Sequence, residues 1–176
     1  NQKQSNYSQY GVSISSGYGN SDIVPIRIGL QKYWDRSWRN DELWGVKGYW
    51  EGSIYHMEGA AGIDEINRKA SNSNLQAVAL AAVMRFEAND YFVTGNCKYW
   101  PYFDVGVGGS YFTKKEIGGR KLGIHFQFED RIGAGVRFGA NKQYELGYRF
   151  VHFSNAHLST LNNAVNLHTI VFSYWF

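Results

Sequence analysis

The chain has 176 residues, which suits one folded domain better than two, so residues 1–176 are predicted to form a single domain. Its 20 glycines, 17% aromatic residues and only 2 prolines favour an all-β protein. The net charge of +3 comes from 18 basic and 15 acidic residues spread along the chain, a distribution that excludes a nucleic-acid-binding surface. No stretch approaches the ~18 apolar residues of a membrane-spanning helix.

Alternation of apolar and polar residues predicts about eight antiparallel strands. The predicted strands cover residues 7–18, 22–34, 43–57, 75–86, 99–112, 122–138, 144–155 and 166–176. Their connections cover residues 19–21, 35–42, 58–74, 87–98, 113–121, 139–143 and 156–165. Many of the strands exceed the ~5–6 residues typical of soluble sheets and reach the ~9–11 that cross a bilayer at a tilt.

Several strands have one apolar face and one face that carries glycine and charge. The charged faces together hold both signs: Arg27, Lys47, Glu51, Arg85, Asp104, Glu129, Arg131, Glu145 and Arg149. An even number of antiparallel strands, with long loops alternating with shorter turns, is typical of a small outer-membrane barrel, whose narrow lumen such ion pairs would fill. We therefore predict an eight-stranded antiparallel transmembrane β-barrel. The side chains predicted to face lipid include Ile28, Ile132 and Phe172, and those predicted to face the lumen include Glu51, Arg131 and Arg149.

The last strand indicates where in the cell the protein lies. Its even positions are Ile170, Phe172, Tyr174 and Phe176, and such an aromatic C-terminal strand resembles the signal by which outer-membrane barrels are recognised for insertion. We therefore expect the bacterial outer membrane, with its lipids around the barrel. If both termini are periplasmic, the loop at residues 156–165 and the adjoining Ser154 lie at the outer end.

A candidate site lies on the strand at residues 144–155. Its even positions are apolar from Tyr144 to Phe150, but the same face continues with His152 and Ser154. Polar groups facing hydrocarbon are costly and usually functional, and Asn166 lies on the same face of the next strand. A serine and a histidine offered to the membrane predict an esterase site. The alternative is an interfacial His and Ser that only bind lipid headgroups.

These residues carry a resemblance to a known family. Residues 152–156, His-Phe-Ser-Asn-Ala, resemble the His-aromatic-Ser-Asn-Ala motif of the PagL-type lipid A 3-O-deacylases, and residues 128–135 resemble a second marked segment of that family. The similarity runs from about Ile23 to the end of the chain. It implies an outer-membrane serine esterase that removes the 3-O-linked acyl chain from lipid A of lipopolysaccharide.

The resemblance also implies roles for individual residues. Ser154 corresponds to the nucleophile and His152 to the general base, while Asn155 and Asn162 correspond to the asparagines that stabilise the oxyanion. The chain departs from the family at the third catalytic position, where Asn166 replaces a glutamate and no acidic residue follows Glu145. An amide oxygen can orient the imidazole but cannot stabilise the imidazolium by charge, so lower activity, or none, is expected.

Further expectations concern the substrate, the partners and the rival assignments. Lipid A acyl chains would pack on Phe150, Tyr148 and Leu146, and the reaction requires no metal or cofactor. The barrel is expected as a monomer or a homodimer. If Asn166 is not part of the site, His168 or Asp130 becomes the candidate that orients the imidazole.

Two other functions stay open. The missing carboxylate favours a catalytically weak or inactive structural barrel, and nothing in the sequence excludes a phospholipase of the same membrane.

Overall fold

A computed structural model describes residues 9–40, 43–59, 63–64, 69–70 and 74–176. Eight long strands dominate it: β1 (Tyr10–Gly19), β2 (Val24–Asn40), β3 (Trp44–Glu58), β4 (Asn74–Ala88), β5 (Cys97–Phe112), β6 (Phe126–Phe138), β7 (Tyr144–Ser154) and β8 (Val165–Trp175). Each strand pairs antiparallel with its neighbours in the chain, and β8 pairs back onto β1 to close the ring. This closure confirms the predicted eight-stranded antiparallel β-barrel.

Some predicted strand limits differ from the structure. Residues 35–40 do not form a connection, because β2 continues to Asn40 through irregular pairing with β3 between Tyr33 and Arg39. Such irregularities interrupt the period of two on which the sequence prediction rests. Conversely, residues 122–125 precede β6, and the start predicted for the first strand at residue 7 lies outside the described residues.

The connections contain short pieces of additional structure. Ile63–Asp64 pairs with Lys69–Ala70, Glu116–Ile117 pairs with Arg120–Lys121, and Phe92–Thr94 pairs with the start of β5. A short 3-10 turn, Asn20–Asp22, links β1 to β2. No helix among the described residues is long and apolar enough to span a membrane.

The two faces of the barrel wall have opposite chemistry. The side chains predicted to face lipid are exposed on the outside: Ile28 by 51%, Ile132 by 49% and Phe172 by 42%. The side chains predicted to face the lumen, Glu51, Arg131 and Arg149, are exposed by 3% or less. The predicted inward and outward faces are therefore confirmed, and large apolar side chains cover the outer surface.

The lumen is filled by ion pairs of both signs. Three guanidinium groups, those of Arg27, Arg131 and Arg149, surround the buried carboxylate of Glu51. A second group joins Arg85 to Asp104 and Glu145, with Nη2 2.7 Å from Asp104 and Nη1 2.5 Å from Glu145. Of the predicted ionic set, Lys47 is half-buried and the other members are buried. Because an unpaired charge is expensive to bury, these pairs hold the wall together from inside.

An apolar cluster caps the ion-filled lumen on the side of Ser154. Its buried members include Ile23, Tyr55, Met57, Leu75, Phe112, Ile117, Leu122, Val151, Phe153, Val165 and Leu167. They come from several strands, from the β1–β2 turn and from the β5–β6 loop. This cluster supports the strand ends that carry the candidate site.

Candidate active site

The end of β7 presents the predicted polar pair on the outer surface. Val151 and Phe153 point inward and are buried, whereas Phe150, His152 and Ser154 alternate with them and are half-buried on the outer face. The Phe153 ring lies 5.1 Å from the Phe112 ring and 5.4 Å from the Tyr55 ring, measured between centroids. Packing of Phe153 in the apolar cluster therefore fixes the residues on either side of it.

His152 and Asn166 meet directly across two strands. They are opposite each other in the β7–β8 register, and 2.6 Å separates His152 Nδ1 from Asn166 Oδ1. An amide oxygen can only accept a hydrogen bond, so the bond requires the hydrogen on Nδ1. The other ring nitrogen, Nε2, then has a lone pair that can take a proton.

The 3-10 turn between β1 and β2 holds the backbone of Asn166 in place. Its backbone N–H donates to Asn20 Oδ1 at 3.1 Å, and Asn20 Nδ2 donates to the Ala164 carbonyl at 3.0 Å. Arg120 Nε donates to the same carbonyl at 2.7 Å. Sequence reasoning assigns no role to Asn20 or Arg120, because an asparagine in a turn and an arginine in a loop are ordinary residues there.

Ser154 lies two residues beyond His152 on the same face, about 7 Å along the strand. Within the described part of the chain, Ser154 Oγ has no hydrogen-bond partner, and the Ser154 side chain is half-buried. The hydroxyl is therefore available to a group approaching from the membrane side.

Asn155 and Asn162 are connected, but they differ in what they can donate. The Asn155 backbone N–H donates to Asn162 Oδ1 at 2.8 Å, which places the Asn162 amide beside the peptide that follows Ser154. The Asn155 side chain is fully buried, and its Nδ2 donates to the carbonyls of Leu122 and Leu161 at 2.8 and 2.7 Å. The expected role of the Asn155 amide as an oxyanion donor does not fit this geometry, because both of its hydrogens are used.

The turn after the motif has an unusual backbone. Ala156 and His157 both have positive φ, 50° and 63°, and the Leu158 N–H closes the turn onto the Asn155 carbonyl at 3.0 Å. Non-glycine residues rarely adopt this conformation, and such strain concentrates at functional sites. Here it turns the chain sharply after Ser154, and the Asn162 side chain returns to the peptide that follows Ser154.

An apolar wall continues the site along β7. Leu146 and Tyr148 are exposed by 47% and 45%, and Phe150 is half-buried beside them. His168 packs against this wall, where its Nδ1 lies 2.5 Å from the Tyr148 hydroxyl and its ring stacks on Tyr18. His168 thus contacts Tyr148, and the partner of His152 Nδ1 is Asn166.

No group of three or more His, Cys, Asp or Glu side chains within the described ranges is arranged to hold a metal ion. The outward polar groups on β7, β8 and their loop include a hydroxyl, an imidazole and amides. This combination can transfer an acyl group from an ester to water.

Known proteins resemble this chain along most of its length. The family model for lipid A 3-O-deacylase (PagL) matches residues 24–175. The lipid A deacylase PagL of Pseudomonas aeruginosa is 30% identical over 92% of this chain and 83% of its own length. The lipid A deacylase PagL of Bordetella bronchiseptica is 31% identical over 43% of this chain and 41% of its own.

A solved structure agrees with these sequence matches. The crystal structure of the outer membrane enzyme PagL superimposes with a TM-score of 0.79 at 26% identity, covering 94% of this chain and 99% of that one. The family match includes the ends of β7 and β8 where the candidate site lies. The chain belongs to the PagL family of lipid A 3-O-deacylases.

Proposed function

We propose that this chain is a bacterial outer-membrane esterase that removes the 3-O-linked acyl chain of lipid A, with Ser154 as nucleophile and His152 as general base. Family membership supports the deacylase activity and the outer-membrane location. The observation that carries the site assignment is the 2.6 Å contact between His152 Nδ1 and Asn166 Oδ1 on the outer face, beside Ser154. It leaves Nε2 of the imidazole as the proton acceptor.

The first half of the reaction forms an acyl-enzyme. His152 Nε2 takes the proton of Ser154 Oγ as the oxygen attacks the ester carbonyl carbon. The carbonyl oxygen becomes an oxyanion, to which Asn162 Nδ2 donates. The bond between the acyl carbon and the sugar oxygen then breaks, that oxygen takes the proton from His152, and the deacylated lipid A leaves with a free hydroxyl group at this position.

The second half releases the fatty acid. His152 removes a proton from water, whose oxygen attacks the acyl carbon of the ester on Ser154. The bond to Ser154 Oγ breaks, and the serine oxygen takes its proton back from His152. Both halves use the same base and the same oxyanion donor, and these groups lie on β7 and in the loop between β7 and β8.

The apolar wall supplies a place for the substrate. Leu146, Tyr148 and Phe150 lie in line below His152 on the outer face of β7, and an acyl chain lying along the barrel would pack on them. The Asn155 backbone N–H binds Asn162 Oδ1, which leaves Asn162 Nδ2 to donate to the oxyanion.

Removal of either catalytic side chain tests this assignment. Ser154→Ala and His152→Ala should each lower lipid A deacylation by roughly 10⁴-fold or more, because the nucleophile and its base act as a unit. The measurement is mass spectrometry of lipid A from a Gram-negative host that lacks such an enzyme. Both variants should still migrate as folded, heat-modifiable barrels, since both side chains lie on the outer surface.

Ser16→Ala and His56→Ala are matched controls, because both residues lie on the outer face of other strands. Their activity should equal that of the parent chain. Full activity in Ser154→Ala would refute the site. Release of fatty acid from phospholipid vesicles with intact lipid A would identify the phospholipase alternative instead.

A further inference from the structure

A carboxylate lies on the other side of the catalytic histidine from Asn166. Asp130 on β6 is directly opposite His152 in the β6–β7 register, just as Asn166 is in the β7–β8 register. Side chains opposite each other on antiparallel strands have Cβ atoms about 4.5–5.5 Å apart. The three residues therefore form one outward row with the imidazole in the middle.

The surroundings of Asp130 are otherwise apolar. Asp130 is exposed on the outer surface, and its neighbours on the same face of β6 are Phe128 and Ile132. Its partner on β5 is Val107, which is also apolar and exposed. No ion pair within the described part of the chain includes Asp130. A carboxylate facing the membrane among apolar neighbours is costly, and His152 is the titratable group opposite it.

The proposed reaction supplies a reason for that cost. His152 becomes positively charged when it takes the serine proton, and a nearby anion stabilises the imidazolium. Asn166 can set the tautomer through its amide oxygen, but it has no charge. The chain thus lacks a carboxylate at the third position and has one across the other strand.

We propose that Asp130 is a positioning residue that supplies the negative charge for the His152 imidazolium, while Asn166 fixes the tautomer of the neutral imidazole. The assignment rests on the proposed function, since it gives Asp130 a task only if His152 is the general base. It places the two partners of the imidazole on β6 and β8, on either side of β7. The competing role, contact between Asp130 and a polar group of the substrate, is distinguished by the kinetics.

The primary test is Asp130→Asn, which removes the charge and keeps the shape. With the full chain in detergent micelles and lipopolysaccharide as substrate, kcat should fall by about tenfold to a few hundredfold, the upper figure being that for two unit charges ~5 Å apart near a protein surface. KM should stay unchanged, because the imidazolium exists only along the reaction path. Asp130→Glu should restore much of kcat, and Asp90→Asn, at an exposed turn, should match the parent.

A second background makes the test specific for charge. Asn166→Glu restores a carboxylate on β8 and should raise kcat in the parent chain. In that background Asp130→Asn should cost no more than about threefold, because two groups that serve one charge are not additive. If Asn166→Glu fails to migrate as a heat-modifiable barrel, the contrast between Asp130→Asn and Asp130→Glu decides alone.

Three results would overturn the inference: an unchanged kcat in Asp130→Asn, an equal loss in both backgrounds, or a loss confined to KM. The last would place Asp130 on the substrate. Failure of the proposed function is separate, because it would appear as activity in Ser154→Ala. If Ser154→Ala is inactive but Asp130→Asn is fully active, the proposed function stands and only the inference about Asp130 is refuted.

Discussion

Asn155 and Asn162 have the same side chain, but their hydrogen bonds leave only one of them able to donate to a further group. Asn162 accepts the Asn155 N–H through Oδ1, so its own nitrogen keeps two hydrogens for another acceptor. Asn155 gives both side-chain hydrogens to the carbonyls of Leu122 and Leu161 and lies fully buried. Asn162 Nδ2 can therefore donate to another acceptor, whereas the Asn155 side chain supports the loop that positions Asn162.

Asn162→Ala should lower kcat by about 10²–10³-fold with a small effect on KM, which is the loss measured when one oxyanion donor is removed elsewhere. Asn163→Ala is the matched control, because the Asn163 contact with Lys121 O uses its backbone N–H and survives the substitution. Steady-state deacylation of lipopolysaccharide provides both constants. An unchanged kcat in Asn162→Ala would exclude it as the oxyanion donor.

At the scale of the element, β7 combines two functions through its period of two. The inward residue Phe153 packs on Tyr55 and Phe112, and the outward residues on either side of it are His152 and Ser154. A strand that ended one residue earlier would leave Ser154 in the loop. The buried ring thus transmits the rigidity of the apolar cluster to the site.

Phe153→Ala should lower the free energy of unfolding by about 3–5 kcal/mol and should also reduce kcat, because it leaves a cavity beneath the strand end. Phe150→Ala, three residues earlier on the outer face, should have little effect on stability and should instead raise KM by weakening the apolar wall. Urea unfolding in detergent micelles and steady-state kinetics separate the two. Equal stabilities of these variants would contradict the inward and outward assignment.

On the scale of the whole molecule, the barrel is a wall held from inside by charge and covered outside by apolar side chains. Glu51 faces three guanidinium groups in the lumen, and Arg85 joins Asp104 to Glu145. The apolar cluster lies over these ions at the end that carries Ser154. The site therefore sits on a rigid frame whose stability depends on complete pairing.

Glu51→Gln should destabilise the folded barrel by about 3–5 kcal/mol, since it leaves three buried guanidinium groups without their shared anion. Glu58→Gln on the same strand is the control, because its carboxylate is exposed and its contact is with His56. The temperature at which heat-modifiable migration is lost should fall for the first variant and not for the second. An unchanged temperature for Glu51→Gln would show that the negative charge of Glu51 does not stabilise the barrel.

The sequence by itself determined the barrel, its two faces and the position of the polar pair. A membrane barrel makes lipid and lumen alternate along every strand, so a period of two places Ile132 outward, Arg131 inward, and His152 and Ser154 on one face. The Asn166 substitution was also visible, because it breaks a motif. The alternation is interrupted by the irregular pairing of β2 after Tyr33, and there the predicted connection at 35–42 was wrong for residues 35–40.

Tertiary structure alone decided which side chains meet around the pair. Asn20 reaches the Asn166 backbone across 146 positions of the chain, and Arg120 reaches Ala164 from another loop. The division of tasks between Asn155 and Asn162 likewise depends on the carbonyl of Leu122, more than thirty positions away. Loop side chains follow no period, so their partners depend on how the strands close into a ring, which local pattern does not encode.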